Sequence, residues 1–150
     1  MIEEIRLATV NDLEAVERVI HDAYSHYIAR IGRQPGPMLD DYKSLIAAGH
    51  VRVVEHNGTV QGVLVLIPED NAMLLDNIAV SATAQGLGLG RKMLAFAERA
   101  ALDARYNAIR LYTNAAMTEN IELYSRIGYV ETHRIVEKGF QRVYMAKPLG

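Results

Sequence analysis

Three glycines at alternate positions, Gly86, Gly88 and Gly90, stand between a β-rich run ending at Val80 and a stretch of strong helix formers from Arg91 to Arg105. Without Cβ atoms a backbone can turn sharply and bring its N–H groups against a ligand, and the start of a helix adds partial positive charge. The natural guest of such a loop is a phosphate or pyrophosphate. Glycine spacing alone leaves a purely structural turn and an anion site both open. The detailed order removes two rivals. Gly86-x-Gly88-x-Gly90 lacks the Gly-x-Gly-x-x-Gly order of the dinucleotide fold, and the runs before it read as a meander where that fold needs a βαβ unit. Arg91 stands where a nucleotide-triphosphate loop has Lys followed by Ser or Thr.

The rest of the chain reads as β-α-α-β-β-β-α-β-α-β-β. Ile5 and Leu7 alternate with Arg6 and Ala8 as a short strand, and Thr9 to Asp12 is rich in helix N-cap types. From Leu13 to Ile28 apolar side chains recur at helical spacing, until Gly32, Pro35, Gly36 and Pro37 stop the helix. A second helix is predicted from Leu39 to Ala48. Strands are predicted at Val51–Glu55, Val60–Ile67 and Met73–Val80, the first two joined by Asn57-Gly58, which tolerate the positive φ of a tight hairpin turn. After the glycine loop come a strand at Ala108–Thr113, a helix at Thr118–Arg126 and a hairpin of Tyr129–Val136 and Phe140–Ala146 around Lys138-Gly139. The expected fold is mixed α/β, residues 1–150 forming one domain.

Composition narrows the function classes. Half the 150 residues are apolar, 23% are charged and the formal net charge is −2, so no electrostatic footprint points to nucleic acid or an anionic membrane. The absence of cysteine excludes disulfides, thiolate metal sites and a cysteine nucleophile. The five histidines show no metal-ligand spacing, so no metal is implied. The longest apolar runs, such as Val63 to Ile67, are too short to span a bilayer, and Met1 to Val10 is charged where a signal peptide is apolar. A cytoplasmic protein is the expectation.

Gln85, Gly88 and Gly90 in Gln-x-x-Gly-x-Gly resemble the pyrophosphate signature of the GNAT acetyltransferases, which is Arg or Gln, two residues, Gly, one residue, Gly or Ala. Asp76-Asn77-Ile78-Ala79-Val80 resembles the family's fourth strand, and Leu123-Tyr124 with Gly128-Tyr129 its later Leu-Tyr-x-x-x-Gly-Phe/Tyr segment. The element order follows the family over essentially the whole chain. The resemblance implies a mostly antiparallel sheet of about seven strands flanked by about four helices, acetyl-CoA as cosubstrate and an amine acceptor. It places Ile78, Ala79 and Val80 beside the pantetheine arm. Gln85, Gly86, Leu87, Gly88, Leu89, Gly90 and Arg91 fall around the pyrophosphate. Lys92 and Arg91 also fit a solvated first turn of helix. Ala82 departs from a frequent proline and Met117 from a frequent asparagine, although Asn114 and Asn120 stand nearby; Asn120 is the candidate for the cofactor arm, with helix capping as its other role.

Acetyl transfer from a thioester needs a neutral amine, whereas an alkylammonium has a pKa of about 10.4. The family's usual strand glutamate falls near the apolar Leu74, and Asp76, two residues on and on the same strand face, is the candidate base. By resemblance Tyr124 is the general acid toward the leaving thiolate; a phenol with a pKa of about 10 can donate to it. Tyr27, Arg30, Arg33 and Asp41 are the candidate acceptor-binding residues, the arginines for an acidic group and the aspartate for an ammonium, against the alternative of a rigid turn with solvated charges. His133 and Glu137 are further rim candidates. Small-molecule and protein amines both remain open, as do a homodimer and a non-catalytic CoA-binding module of the same fold.

Overall fold

The computed structural model describes residues 4–150. Its strands are β1 (Ile5–Leu7), β2 (Val51–His56), β3 (Thr59–Pro68), β4 (Met73–Val80), β5 (Ala108–Asn114), β6 (Val130–Glu137) and β7 (Phe140–Pro148). Its helices are α1 (Leu13–Tyr24), α2 (Ile28–Ile31), α3 (Tyr42–Ala47), α4 (Leu89–Asp103) and α5 (Thr118–Arg126). The strands form a seven-stranded sheet ordered β1-β2-β3-β4-β5-β7-β6. Pairs β1–β2, β2–β3, β5–β7 and β6–β7 are antiparallel, and β4–β5 is parallel. This is the mixed, mostly antiparallel sheet expected from the sequence. Residues 1–3 of the charged N-terminal run lie outside the described residues.

Both tight hairpins take the backbone their sequences ask for. Asn57 and Gly58 have φ of 55 and 78°, and Lys138 and Gly139 have 52 and 80°, the double positive φ that matches the twist of the flanking strands. The long first helix differs from expectation, because Ser25–Tyr27 tightens into a 3-10 turn before α2, which ends at Gly32 with φ 86°. The second helix is shorter than its sequence pattern. Gly36–Leu39 forms a separate 3-10 turn, and Asp41 caps α3 by accepting from Ser44 N at 3.2 Å and Ser44 Oγ at 2.8 Å, so the helix starts at Tyr42.

The chain packs as two compact units, one covering residues up to Leu66 with Asn77–Phe96, the other Ile67–Asp76 with Ala97–Gly150. In the first, α1 buries Val16, Val19, Ile20 and Tyr24, one face at helical spacing. Helix α4 comes so close to β3 that a Cβ on Gly62 would lie 3.1 Å from Met93 Cε. In the second unit, Ile109, Leu111 and Thr113 of β5 are buried, while Arg110, Tyr112 and Asn114 alternate with them on a half-buried opposite face. No helix among the described residues is long and apolar enough to cross a membrane.

Candidate active site

The glycine loop joins β4 to α4 in the first unit. Ala82–Ala84 makes a 3-10 turn and Gln85 closes it, its Nε2 donating to Val80 O at 3.3 Å. Gly86 and Gly88 then take φ of 86 and 82°, the left-handed region that an L side chain strains to enter. Leu89 is buried and anchors the loop, whereas Leu87 is 48% exposed. The first turn of α4 closes through Lys92 N to Gly88 O at 3.1 Å. Among the described residues no backbone carbonyl accepts from the N–H groups of Gly86, Leu87 or Gly88. A Cβ at any of the three glycines would meet open space. The loop is therefore an open cradle of donors at the head of a 15-residue helix, suited to a pyrophosphate. These residues fit the acetyl-CoA that the sequence resemblance implies.

Strand β4 is braced from behind in the same unit. Asn77 is buried, its Oδ1 2.5 Å from the Tyr24 hydroxyl and its Nδ2 donating to the Tyr42 hydroxyl at 2.9 Å. The Tyr24 hydroxyl also lies 2.9 Å from Ile78 O and has one proton to share between the two acceptors. Two side chains thus reach the β4 backbone, the Tyr24 hydroxyl at Ile78 O and the Gln85 amide at Val80 O. Ile78 and Val80 themselves are half-buried, facing away from Asn77, Ala79 and Ser81.

In the second unit a polar and aromatic cluster covers the half-buried face of β5 and β7. The Tyr112 hydroxyl donates to Asp76 Oδ1 at 2.8 Å. Tyr112 pairs directly with Tyr144 across the strands, with ring centroids 5.5 Å apart. Arg142 lies over the Tyr112 ring at 4.5 Å and bridges to Glu137 at 3.2 Å, and the Tyr144 hydroxyl donates to the same carboxylate. His133 stacks on Tyr144 at 4.5 Å. Burial and then the Glu137 carboxylate push the Tyr144 phenol above its ordinary pKa. Asp76, His133 and Glu137, candidates from the sequence, fall together in this cluster. Tyr112, Arg142 and Tyr144 were missed, and the available signal was the alternation of Arg110-x-Tyr112 and Arg142-x-Tyr144 against apolar partners.

Tyr124 sits on α5, 7% exposed, edge-on to Tyr129 at 5.7 Å. Its Leu-Tyr-x-x-x-Gly-Tyr context has a local cause. Gly128 takes φ 106°, the chain reverses, and Tyr129 N reaches Tyr124 O at 3.0 Å. Burial, with the Glu98 carboxylate close by, raises the pKa of the Tyr129 phenol. Asn120 turns its Nδ2 toward Met117 Sδ at 3.6 Å, and Asn114 accepts from Ala116 N at 2.8 Å as a turn residue.

The expected acceptor residues fall on the α1–α3 segment. Tyr27 is buried, its ring 4.0 Å from His26, with the Arg30 guanidinium 5.0 Å above it. Arg33 is exposed. The Asp41 carboxylate is engaged as the cap of α3, and its bonds to Ser44 hold it below the usual carboxylate range.

The mixed seven-stranded sheet recurs in solved structures that match nearly the whole chain. The ribosomal-protein-S18-alanine N-acetyltransferase of Escherichia coli is 18% identical with a TM-score of 0.77, over 99% of this chain and 95% of that one. Ard1 from Thermoplasma volcanium is 17% identical with a TM-score of 0.79, over 100% of this chain and 99% of that one. A chain of the NatC complex bound to Gag peptide and CoA is 15% identical with a TM-score of 0.73, over 100% of both chains. At these identities the likeness shows the fold. No curated protein is similar enough in sequence to count as a relative. The family model described as "Acetyltransferase (GNAT) domain" matches residues 47–131, more than half the chain, and the protein belongs to the GNAT family of acetyltransferases.

Proposed function

We propose that this acetyltransferase moves an acetyl group from acetyl-CoA to a primary amine by direct attack in a ternary complex. The observation that carries the reading is the cradle of Gly86, Leu87 and Gly88, whose backbone N–H groups have no carbonyl partner among the described residues at the N-terminus of α4. When bound, acetyl-CoA supplies a thioester carbonyl open to attack. The N–C bond forms, the C–S bond breaks, the amine gives up a proton and the sulfur gains one. Asp76, oriented by the Tyr112 hydroxyl, takes the proton from the amine. Tyr124 donates toward the sulfur. The cradle holds the pyrophosphate, and Arg91 at the exposed start of α4 adds positive charge beside it. The absence of cysteine favours direct transfer over a thioester enzyme intermediate.

Calorimetric titration with acetyl-CoA, followed by steady-state kinetics over a panel of amines, tests the proposal. Similar structures named for a ribosomal protein's alanine and bound to a peptide make peptide N-termini the first arm, with small amines the second. Micromolar binding and initial-rate plots that intersect are expected. Parallel plots would replace direct attack by a covalent intermediate, and no binding of acetyl-CoA would remove the reading.

A further inference from the structure

We infer that Asp22 of α1 is a positioning residue for acetyl-CoA, holding the backbone entrance of the glycine loop; the inference rests on reading that loop as the acetyl-CoA site. Asp22 Oδ2 accepts a hydrogen bond from Ala82 N at 2.6 Å, across 60 residues of sequence. Ala82 opens the 3-10 turn that delivers the chain to Gln85. Ser81, at the cap position, makes no side-chain capping bond and turns its hydroxyl to the Gln61 side chain. Ala82 N is the first N–H of the turn, which has no acceptor within the turn itself, and α1 supplies one.

The consequence falls on the cradle. Ser81 N is fixed by Gln61 O at 2.9 Å and Ala82 N by Asp22, while from Gly86 to Gly88 no carbonyl among the described residues holds the chain. A segment with three glycines in five residues has much backbone freedom to lose on binding a ligand. Fixing its entrance lowers that cost and aims the donors before the ligand arrives. A carboxylate suits the task because charge-assisted bonds are shorter and stronger than neutral ones. Asp22 also lines a cleft of about 420 Å³ with Arg18, His21, Gln61 and Thr83, so water competes for the bond and its loss should cost a few-fold in affinity.

The backbone permits a direct test. Ser81 has φ −60° and ψ 150°, the extended conformation required before proline, and Ala82 is the first residue of its turn, so Ala82→Pro deletes the N–H while keeping the path of the chain. Asp22→Ala should raise Kd and KM for acetyl-CoA about three- to tenfold, with kcat and the acceptor KM unchanged. Asp22→Asn, which retains an accepting oxygen, should stay within about twofold. In the Ala82→Pro background Asp22→Ala should change affinity less than about twofold, because the bond is already gone. Amide exchange at Ala82 should accelerate in Asp22→Ala while the thermal midpoint holds. Unchanged or tighter binding in Asp22→Ala, or an equal loss in the proline background, would overturn the inference. Gly88→Val is measured alongside: if it also leaves acetyl-CoA binding intact, the reading of the loop fails and the inference with it, whereas a loss there with none in Asp22→Ala sinks the inference alone.

Discussion

Asp76 and Tyr124 divide the proposed chemistry, and each can be tested by removing a single functional atom. Asp76→Asn keeps an acceptor for the Tyr112 hydroxyl, so the strand should stay in place while the base is lost. Turnover at neutral pH should fall by ~10² and recover in part as pH rises, because more of the amine is then already neutral. Wild-type turnover at every pH would assign the proton to water or another group. Tyr124→Phe keeps the ring packed on Tyr129, so acetyl-CoA affinity should hold while turnover falls by ~10² or more in rate assays where chemistry is limiting. A thioester with a more acidic leaving thiol should suffer less from this change. These two positions were legible because one lies on a predicted strand face and the other in a motif. The cluster of Tyr112, Arg142 and Tyr144 was not, since it depends on Tyr112 standing opposite Tyr144 across β5 and β7, a register that no local pattern specifies.

Among the elements, the glycine loop separates two kinds of glycine that look alike in sequence. Gly88 has φ 82°, whereas Gly90 has no positive φ and lies in the first turn of α4. Gly88→Val should therefore strain the backbone by about 1–2 kcal/mol and, because its Cβ projects into the open space where the ligand is proposed to lie, weaken acetyl-CoA by more than tenfold. Gly90→Ala should leave binding within about twofold and raise stability by up to about 1 kcal/mol, through better helix propensity. Calorimetry and denaturant titration of both variants check the contrast, and equal losses would mean that spacing rather than backbone conformation governs the loop. Element boundaries were most legible where chemistry is local. Asn57-Gly58 and Lys138-Gly139 set their hairpins, and Gly128 ended α5 as expected. The 3-10 break at Ser25–Tyr27 has no sequence signature because the apolar spacing runs straight through it.

For the whole molecule, the family resemblance implied a mostly antiparallel sheet of about seven strands, while the order of the strands was not legible in the sequence. Placing β5 parallel to β4, and β7 between β5 and β6, needs pairings between distant segments, whereas composition and periodicity report only on neighbours. One tie between neighbouring elements is local in sequence, six residues apart, and its effect on stability can be predicted. Arg6 on β1 grips both oxygens of Asp12 at 2.8 and 3.0 Å, and Thr9 N donates to the same carboxylate at 2.8 Å, so the strand and the start of α1 are locked together. The Arg6 guanidinium, followed by the Thr9 bonds, lowers the Asp12 carboxyl from 3.8 to about 2 against the opposing effect of burial. A group whose pKa falls on folding contributes stability above its unfolded value and loses it as pH drops through its folded value. The contribution should thus be full above about pH 4 and vanish between pH 4 and 2. The shift corresponds to at most about 2.5 kcal/mol, and because the Arg6 side chain is 34% exposed, screening brings the expected figure to about 1 kcal/mol. Asp12→Asn should lower the thermal midpoint at pH 6 and narrow the gap to wild type as pH falls to 2. A midpoint difference that is constant from pH 6 to 2 would show that Asp12 acts through its neutral hydrogen bonds and not through its charge.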